Sequence, residues 1–290
     1  MKGNNFLGLD YKLSSYDSAK VAILPVPYEA TVSFGRGTSN GPAAIIKASE
    51  QVELYDEELG CEPCDVGITT LDAPDLSGIA PSDLKHILAP HVSKILSDNK
   101  LPIILGGEHS ITPAAFDAVY KVHPDITVLQ LDAHADLRQE YEGESMSHAC
   151  AMARVRDLAP AVQVGIRNLS DAEAKWVRRD KLPVFYAKDI YDNDRWMKDA
   201  IDKIKTDKVY VTIDVDVFDS SVMPATGTPE PGGLTWYDVT KFLRLLMNKK
   251  RAVGFDLVEL APTPNLHACD FLVAKLAYKC IGYWRERHMT

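Results

Sequence analysis

The sequence predicts an α/β fold with a mainly parallel sheet, and three observations carry that expectation. Short β-rich apolar runs alternate with helical segments along nearly the whole chain. No polar, Gly/Ser-rich or charge-run linker interrupts the alternation, and there is no internal repeat, so residues 1–290 read as a single domain. Acidic residues and histidines also gather just after several of the apolar runs, at the sheet edge where open α/β folds place their ligands.

In chain order, strands are expected at Val21 to Pro25, Pro102 to Leu105, Ile126 to Asp132, Ala161 to Gly165, Pro183 to Tyr186, Lys208 to Asp214 and Ala252 to Leu257. Helices are expected at Gly41 to Ser49, Pro81 to Ser97, Thr112 to Tyr120, His148 to Asp157, Ser170 to Arg179, Asp194 to Lys205, Thr235 to Asn248 and Cys269 to Tyr283. Two of these carry a capping signal, Ser170 three residues before Glu173 and Thr235 three residues before Asp238.

Composition narrows the function. A formal net charge of −9 disfavours nucleic acid and anionic membranes as partners and suits a cationic substrate. No apolar stretch reaches membrane-spanning length, and Met1-Lys2-Gly3-Asn4-Asn5 lacks the apolar core of a signal peptide, so the cytoplasm is the expected compartment. Five cysteines form an odd set spread over a long chain, which argues for reduced thiols. Cys61 and Cys64 have the spacing of a zinc or redox pair. No second pair follows, and Glu62 and Asp65 would raise a thiol pKa, so a structural or incidental role is expected.

Three segments carry chemistry. Leu131-Asp132-Ala133-His134-Ala135-Asp136 places two carboxylates and an imidazole at alternating positions, which face one side of an extended chain. Gly106-Gly107-Glu108-His109-Ser110 and Thr212-Ile213-Asp214-Val215-Asp216 repeat the pattern of charge after an apolar run, and Glu259 adds a fourth strand end. Taken singly, Asp214 and Asp216 would read as a loop cap or a single-cation site, and His109 as a helix cap. Together, buried acids at several strand ends exceed structural need.

His109, Asp132, His134, Asp136, Asp214 and Asp216 surpass the needs of one tetrahedral zinc. They match two divalent ions sharing carboxylates, with manganese favoured by oxygen-rich ligation. Such ions lower the pKa of bound water and favour hydrolysis, and an acidic centre welcomes a guanidinium or amine. His148, on a loop after the second motif, suits proton transfer.

These motifs resemble those of the ureohydrolase family, the arginases, agmatinases and their relatives. Gly106-Gly107-Glu108-His109-Ser110 is similar to the family's Gly-Gly-Asp-His-Ser, Asp132-Ala133-His134-Ala135-Asp136 to its Asp-Ala-His-x-Asp, and Thr212 to Asp219 to its Ser-x-Asp-x-Asp-x-x-Asp. Pro224 to Leu234 and Gly35 to Ile45 also resemble family segments. The resemblance implies a three-layer α/β/α sandwich with an eight-stranded parallel sheet, a dinuclear Mn²⁺ site and assembly into trimers or hexamers. By motif position, His109, Asp132, Asp136 and Asp214 would hold one ion, and Asp132, His134, Asp214 and Asp216 the other. Glu259 would pair with the substrate guanidinium, Thr228 would line its pocket, and His148 would be the proton shuttle. The implied reaction is hydroxide attack on a guanidinium carbon with Asp136 orienting the nucleophile, giving urea and an amine.

Arg138 stands where arginases resemble one another in an asparagine, and Asp136-Leu137-Arg138 with Ser147-His148-Ala149 is similar to the agmatinase branch. Agmatine is the expected substrate, to give urea and putrescine. Arg138 would repel its amine unless it points away or is neutralised by Glu140, Glu142 or Glu144; otherwise it would bind the carboxylate of 4-guanidinobutyrate, 3-guanidinopropionate or arginine. Glu108, Asn265 and Asp270 depart from the family pattern and bear on substrate rather than catalysis. A two-metal phosphoesterase and a catalytically silent metal-binding subunit are the distant alternatives.

Overall fold

The computed structural model describes residues 5–193 and 195–289, so Met1 to Asn4 and the expected helix start at Asp194 lie outside the described residues. Eight strands form one sheet: β1 (Val21–Val26), β2 (Ile68–Thr70), β3 (Leu101–Gly106), β4 (Ile126–Leu131), β5 (Ala161–Ile166), β6 (Val184–Tyr186), β7 (Lys208–Asp214) and β8 (Arg251–Val258). Their order is β2-β1-β3-β8-β7-β4-β5-β6, and every pairing is parallel. Seven strands fall where the sequence predicts them. The eighth, β2, is three residues long and pairs only with β1, Val21 opposite Ile68. It is too short to show a period in the sequence.

The helices are α1 (Tyr11–Ser14), α2 (Gly41–Ser49), α3 (Leu84–Ser97), α4 (Ile111–Val122), α5 (Ala151–Arg156), α6 (Asp171–Asp180), α7 (Ala187–Tyr191), α8 (Trp196–Lys203), α9 (Trp236–Lys249) and α10 (His267–Met289). Both expected capping boxes form, at Ser170 and Thr235. His148 lies in a 3-10 turn, His148–Cys150, ahead of α5 rather than in the helix itself. The short helices α1 and α7 were not expected.

Two apolar layers explain the sandwich. Val21 and Ile23 of β1, with Ile103 and Leu105 of β3, pack on one face against residues of α2, α8, α9 and α10. Their strand neighbours Ala22, Leu24 and Ile104 face the other way, against α3, α4, α5 and α6. Successive side chains of a strand point to opposite faces, so burial on both sides makes these strands apolar throughout. No helix among the described residues is long and apolar enough to cross a membrane.

The strand order positions the chemistry. β3, β8, β7 and β4 are consecutive in the middle of the sheet. His109 follows β3, Glu259 follows β8, Asp214 ends β7 and Asp132 follows β4. Four adjacent strands about 4.8 Å apart thus deliver their ends to one place.

Gly107 makes the turn after β3 possible. A Cβ there would lie 2.0 Å from the Tyr28 carbonyl oxygen. Its N–H donates to Val26 and its carbonyl accepts from Glu259, locking the ends of β1, β3 and β8 together.

Candidate active site

A cleft of about 180 Å³ opens at this sheet edge. Of the ten residues singled out in the sequence, nine line it: His109, His134, Asp136, Arg138, His148, Asp214, Asp216, Thr228 and Glu259. Asp132 lies beneath them, with no exposed surface. Loop residues Val32 to Gly35 complete one wall. Gly35 meets Gly227 there so closely that a Cβ on Gly35 would lie 2.8 Å from the Gly227 oxygen.

Four of the carboxylates, Asp132, Asp214, Asp216 and Glu259, share one arrangement, in which one oxygen is tied to a backbone N–H and the other turns inward. Asp214 Oδ1 accepts from Asp216 N at 2.9 Å while Oδ2 lies 3.4 Å from His109 Nδ1. Asp216 Oδ1 accepts from Ala133 N at 3.0 Å while Oδ2 lies 2.8 Å from His134 Nδ1. Asp132 Oδ1 accepts from His134 N at 2.5 Å, and its Oδ2, which also accepts from the Gln130 amide, lies 3.1 Å from His109 Nδ1. Glu259 Oε1 accepts from His109 N at 2.6 Å. Asp136 and Glu259 both have left-handed backbone, φ 51° and 69°, a conformation that costs non-glycine residues of order 1–3 kcal/mol and clusters at functional sites.

Two overlapping ligand sets result. Ligand atoms of His109, Asp132 and Asp214 lie within 4.8 Å of one another, as do those of Asp132, His134 and Asp216. Asp132 belongs to both, and Asp136 Oδ2 approaches His109 Nδ1 to 2.9 Å. His109 Nε2 lies 2.9 Å from the Thr212 hydroxyl, whereas its buried Nδ1 makes no well-formed hydrogen bond despite three nearby carboxylate oxygens. With the ring proton on Nε2, Nδ1 presents a lone pair to a point ringed by anions, the arrangement a cation needs.

The electrostatics agree. Burial, then the Asp132 charge, raises Asp136 to about 6; burial, then Glu108, raises Glu259 to about 8. Burial and the charges of Asp216 and Asp132 push Asp214 well up. For Asp132 burial acts in the same upward sense, but hydrogen bonds from His109 and His134 outweigh it and its pKa is lowered. Burial likewise opposes protonation of His134, yet Asp216 and Asp132 raise it to about 12. The unbalanced negative charge fits divalent ions.

Arg138 is held by a group that the sequence reading did not assign to it. Its Nε lies 3.9 Å from Glu173, and its guanidinium sits 5.1 Å above the Tyr141 ring. Glu173, rather than Glu140, Glu142 or Glu144, is the acidic neighbour. It also completes the α6 capping box and accepts from Leu137 N, so its helix-start signal concealed a place on the cleft wall. His267, near Glu259 in sequence, is exposed at the start of α10 and away from the cleft-lining residues. Cys61 and Cys64 are free thiols; burial raises the Cys64 pKa, with Glu62 and Asp65 adding to it.

Residues 19–282 match the Arginase family. The N(1)-aminopropylagmatine ureohydrolase of Synechocystis sp. is 42% identical over 281 residues, covering 94% of this chain and 92% of that protein. The agmatinase of Bacillus cereus is 36% identical, covering 86% of each chain. Among solved structures, the agmatine ureohydrolase of Thermoplasma volcanium superposes with a TM-score of 0.89 at 30% identity, covering 100% of this chain and 97% of that one. This chain therefore belongs to the arginase family, as a hydrolase acting on the carbon–nitrogen bonds of guanidino compounds.

Proposed function

We propose that this protein hydrolyses the terminal guanidino group of a linear, amine-tailed guanidine of the agmatine type, releasing urea and leaving a polyamine. The observation that carries this reading is the acidity of the cleft. Five buried carboxylates, Asp132, Asp136, Asp214, Asp216 and Glu259, converge there, while the nearby arginine, Arg138, is already matched by Glu173. Agmatine itself would yield putrescine. The N1-aminopropyl derivative, which would yield spermidine, is a second reading favoured by the 42% identity to the Synechocystis enzyme.

His109, Asp132, Asp136 and Asp214 would hold one divalent ion, and Asp132, His134, Asp214 and Asp216 the other, with Mn²⁺ suited to the oxygen-rich set. When bound, the ions supply a nucleophile at neutral pH and offset developing negative charge. Glu259, pinned through Oε1 to His109 N, offers Oε2 beside Gly227 to the substrate's guanidinium. Thr228 lines the same pocket, and Asp136 orients the nucleophile. A C–O bond forms at the guanidinium carbon, the C–N bond to the chain breaks, and the departing amine leaves with a proton delivered by His148. Arg138, braced on Tyr141 and Glu173, guards the mouth on the side of the tail. The reading takes residues 1–290 as one domain, working in the cytoplasm as trimers or hexamers, as the family resemblance and the reduced cysteines suggest.

Urea release by Mn²⁺-loaded protein across agmatine, N1-aminopropylagmatine, arginine, 4-guanidinobutyrate and 3-guanidinopropionate tests this. Turnover of one or both amine-tailed compounds, at least tenfold above the carboxylate-tailed ones in kcat/KM, is expected. Preference for a carboxylate tail would reassign Arg138 as a binding group. Activity on p-nitrophenyl phosphate alone would overturn the reading.

A further inference from the structure

Glu108 and Thr31 lie outside the metal and guanidinium sets, yet they meet behind His148. Glu108 is completely buried and receives four donors: Ala30 N at 2.8 Å and Thr31 N at 2.7 Å on Oε2, Thr31 Oγ1 at 2.9 Å and Ser110 Oγ at 2.5 Å on Oε1. Four donors fill the acceptor positions of one carboxylate, which offers no proton in return.

The Thr31 hydroxyl has one hydrogen and gives it to Glu108. Its other two neighbours both belong to His148: the backbone N–H at 3.0 Å, which can only donate, and Nδ1 at 3.1 Å. With its hydrogen committed, the oxygen can only accept from Nδ1. Ser147 Oγ lies 3.3 Å from the same nitrogen, while Nε2 makes no hydrogen bond among the described residues. The ring lines the cleft, with its edge against Tyr141 at 5.9 Å between centroids.

We propose that the Glu108–Thr31 pair is a positioning device that keeps the His148 proton on Nδ1, so that the Nε2 lone pair faces the cleft as the atom that takes up and returns protons. The proposal rests on the role given to His148 above. It also gives a use to the glutamate at position 108. That side chain crosses from the β3 turn to the loop at residues 30–31, some 77 residues away in sequence, and fixes it with three hydrogen bonds.

Histidine-¹⁵N NMR of metal-free protein, with the His148 signals assigned by their loss in His148→Asn, reads the tautomer directly. The expected wild-type spectrum has a protonated Nδ1 and an unprotonated Nε2 in the neutral ring. Thr31→Val keeps the side chain's size but removes the hydroxyl. It should move the tautomer toward Nε2–H and lower kcat by about 100-fold, the low end of what a placed acid–base group contributes, with KM unchanged. Thr31→Ser should restore both. An Nε2–H tautomer in the wild type, an unchanged tautomer and kcat in Thr31→Val, or a Thr31→Ser variant as impaired as Thr31→Val would each overturn the proposal. A wild type that releases urea from no guanidino compound would sink the functional reading instead, and the spectra would still decide this one.

Discussion

Two charge clusters, one partly buried and one whose carboxylates are all buried, have opposite bookkeeping in this molecule. Midway along α10, Lys279 Nζ lies 2.9 Å from both Asp56 Oδ1 and Glu58 Oε2; Tyr283 donates to Glu58 at 2.7 Å, and Arg244 bridges Glu58 and Glu286. Cations and anions there nearly cancel. At the sheet edge, the five carboxylates Asp132, Asp136, Asp214, Asp216 and Glu259 gather with three imidazoles, and the cleft-lining arginine, Arg138, sits beside a sixth carboxylate, Glu173. A self-neutralised cluster is structural and complete; an unbalanced one is built for something that arrives. The difference is stored in pKa directions. Burial acts against ionisation of Glu58, but Lys279 and Tyr283 outweigh it and its pKa is lowered, whereas Glu259 is driven up by burial and by Glu108, and Asp136 by burial and by Asp132.

Neutralising one member of each cluster should break the molecule in different ways. Asp214→Asn carries the largest expected effect, on function alone. Metal retention after dialysis and urea release should both fall by at least about 100-fold, while the metal-free melting temperature holds, because burial and the neighbouring carboxylates already resist ionisation of Asp214 and the amide keeps its shape. A variant that keeps its metal and turnover would refute the ligand assignment. Lys279→Met should do the reverse. It strands the buried Asp56 without its cation and leaves Glu58 with Arg244 and the Tyr283 hydroxyl, at about 3–5 kcal/mol and a drop of roughly 10 °C in melting temperature, with KM and kcat unchanged at permissive temperature. A thermal melt beside a urea assay checks both halves.

The smallest effect is the pH dependence of the metal-free protein. Asp136 and Glu259 titrate at about 6 and about 8 in the folded chain against ordinary values of 3.8 and 4.5, so folding takes up protons between those limits. Their contribution to stability is fully present below the ordinary values and is lost as pH rises through 6 and then 8. His134, raised from 6.5 to about 12, acts in the same direction over a higher range, and Asp132, lowered, opposes it only in acid. The melting temperature of metal-free protein should therefore decline from about pH 5 to about pH 8, and added Mn²⁺ should flatten that decline by replacing the protons. A rise over the same interval would contradict the charge assignment at the sheet edge.

The parts legible in the sequence were those whose signal is local. Alternating Asp132, His134 and Asp136, and the pair Asp214 and Asp216, announced themselves by their close spacing after apolar runs; the structure gathers them at one cleft by other means than the expected extended chain, since β4 ends at Leu131, Asp136 is left-handed and Asp216 sits in a 3-10 turn. The sandwich was legible because strands buried on both faces stay apolar throughout. What escaped depends on contacts across long sequence separations. β2 exists only as the partner of β1. Glu173 announced a helix start and hid its approach to Arg138, 35 positions away. Thr31, in a loop without periodicity, meets His148 across 117 residues. The left-handed backbone at Asp136 and Glu259 has no sequence signal, since neither is glycine.

The central place of β8 also has a consequence for biosynthesis. This strand, Arg251–Val258, is the last to be made, yet it lies between β3 and β7 and joins the two halves of the sheet. A chain still emerging from the ribosome, or truncated before residue 251, holds two half-sheets whose facing edges have no partner, a state open to pairing with other chains. Glu259 follows immediately, so the sheet edge gains its fourth strand end at the same moment as the two half-sheets lose their open edges.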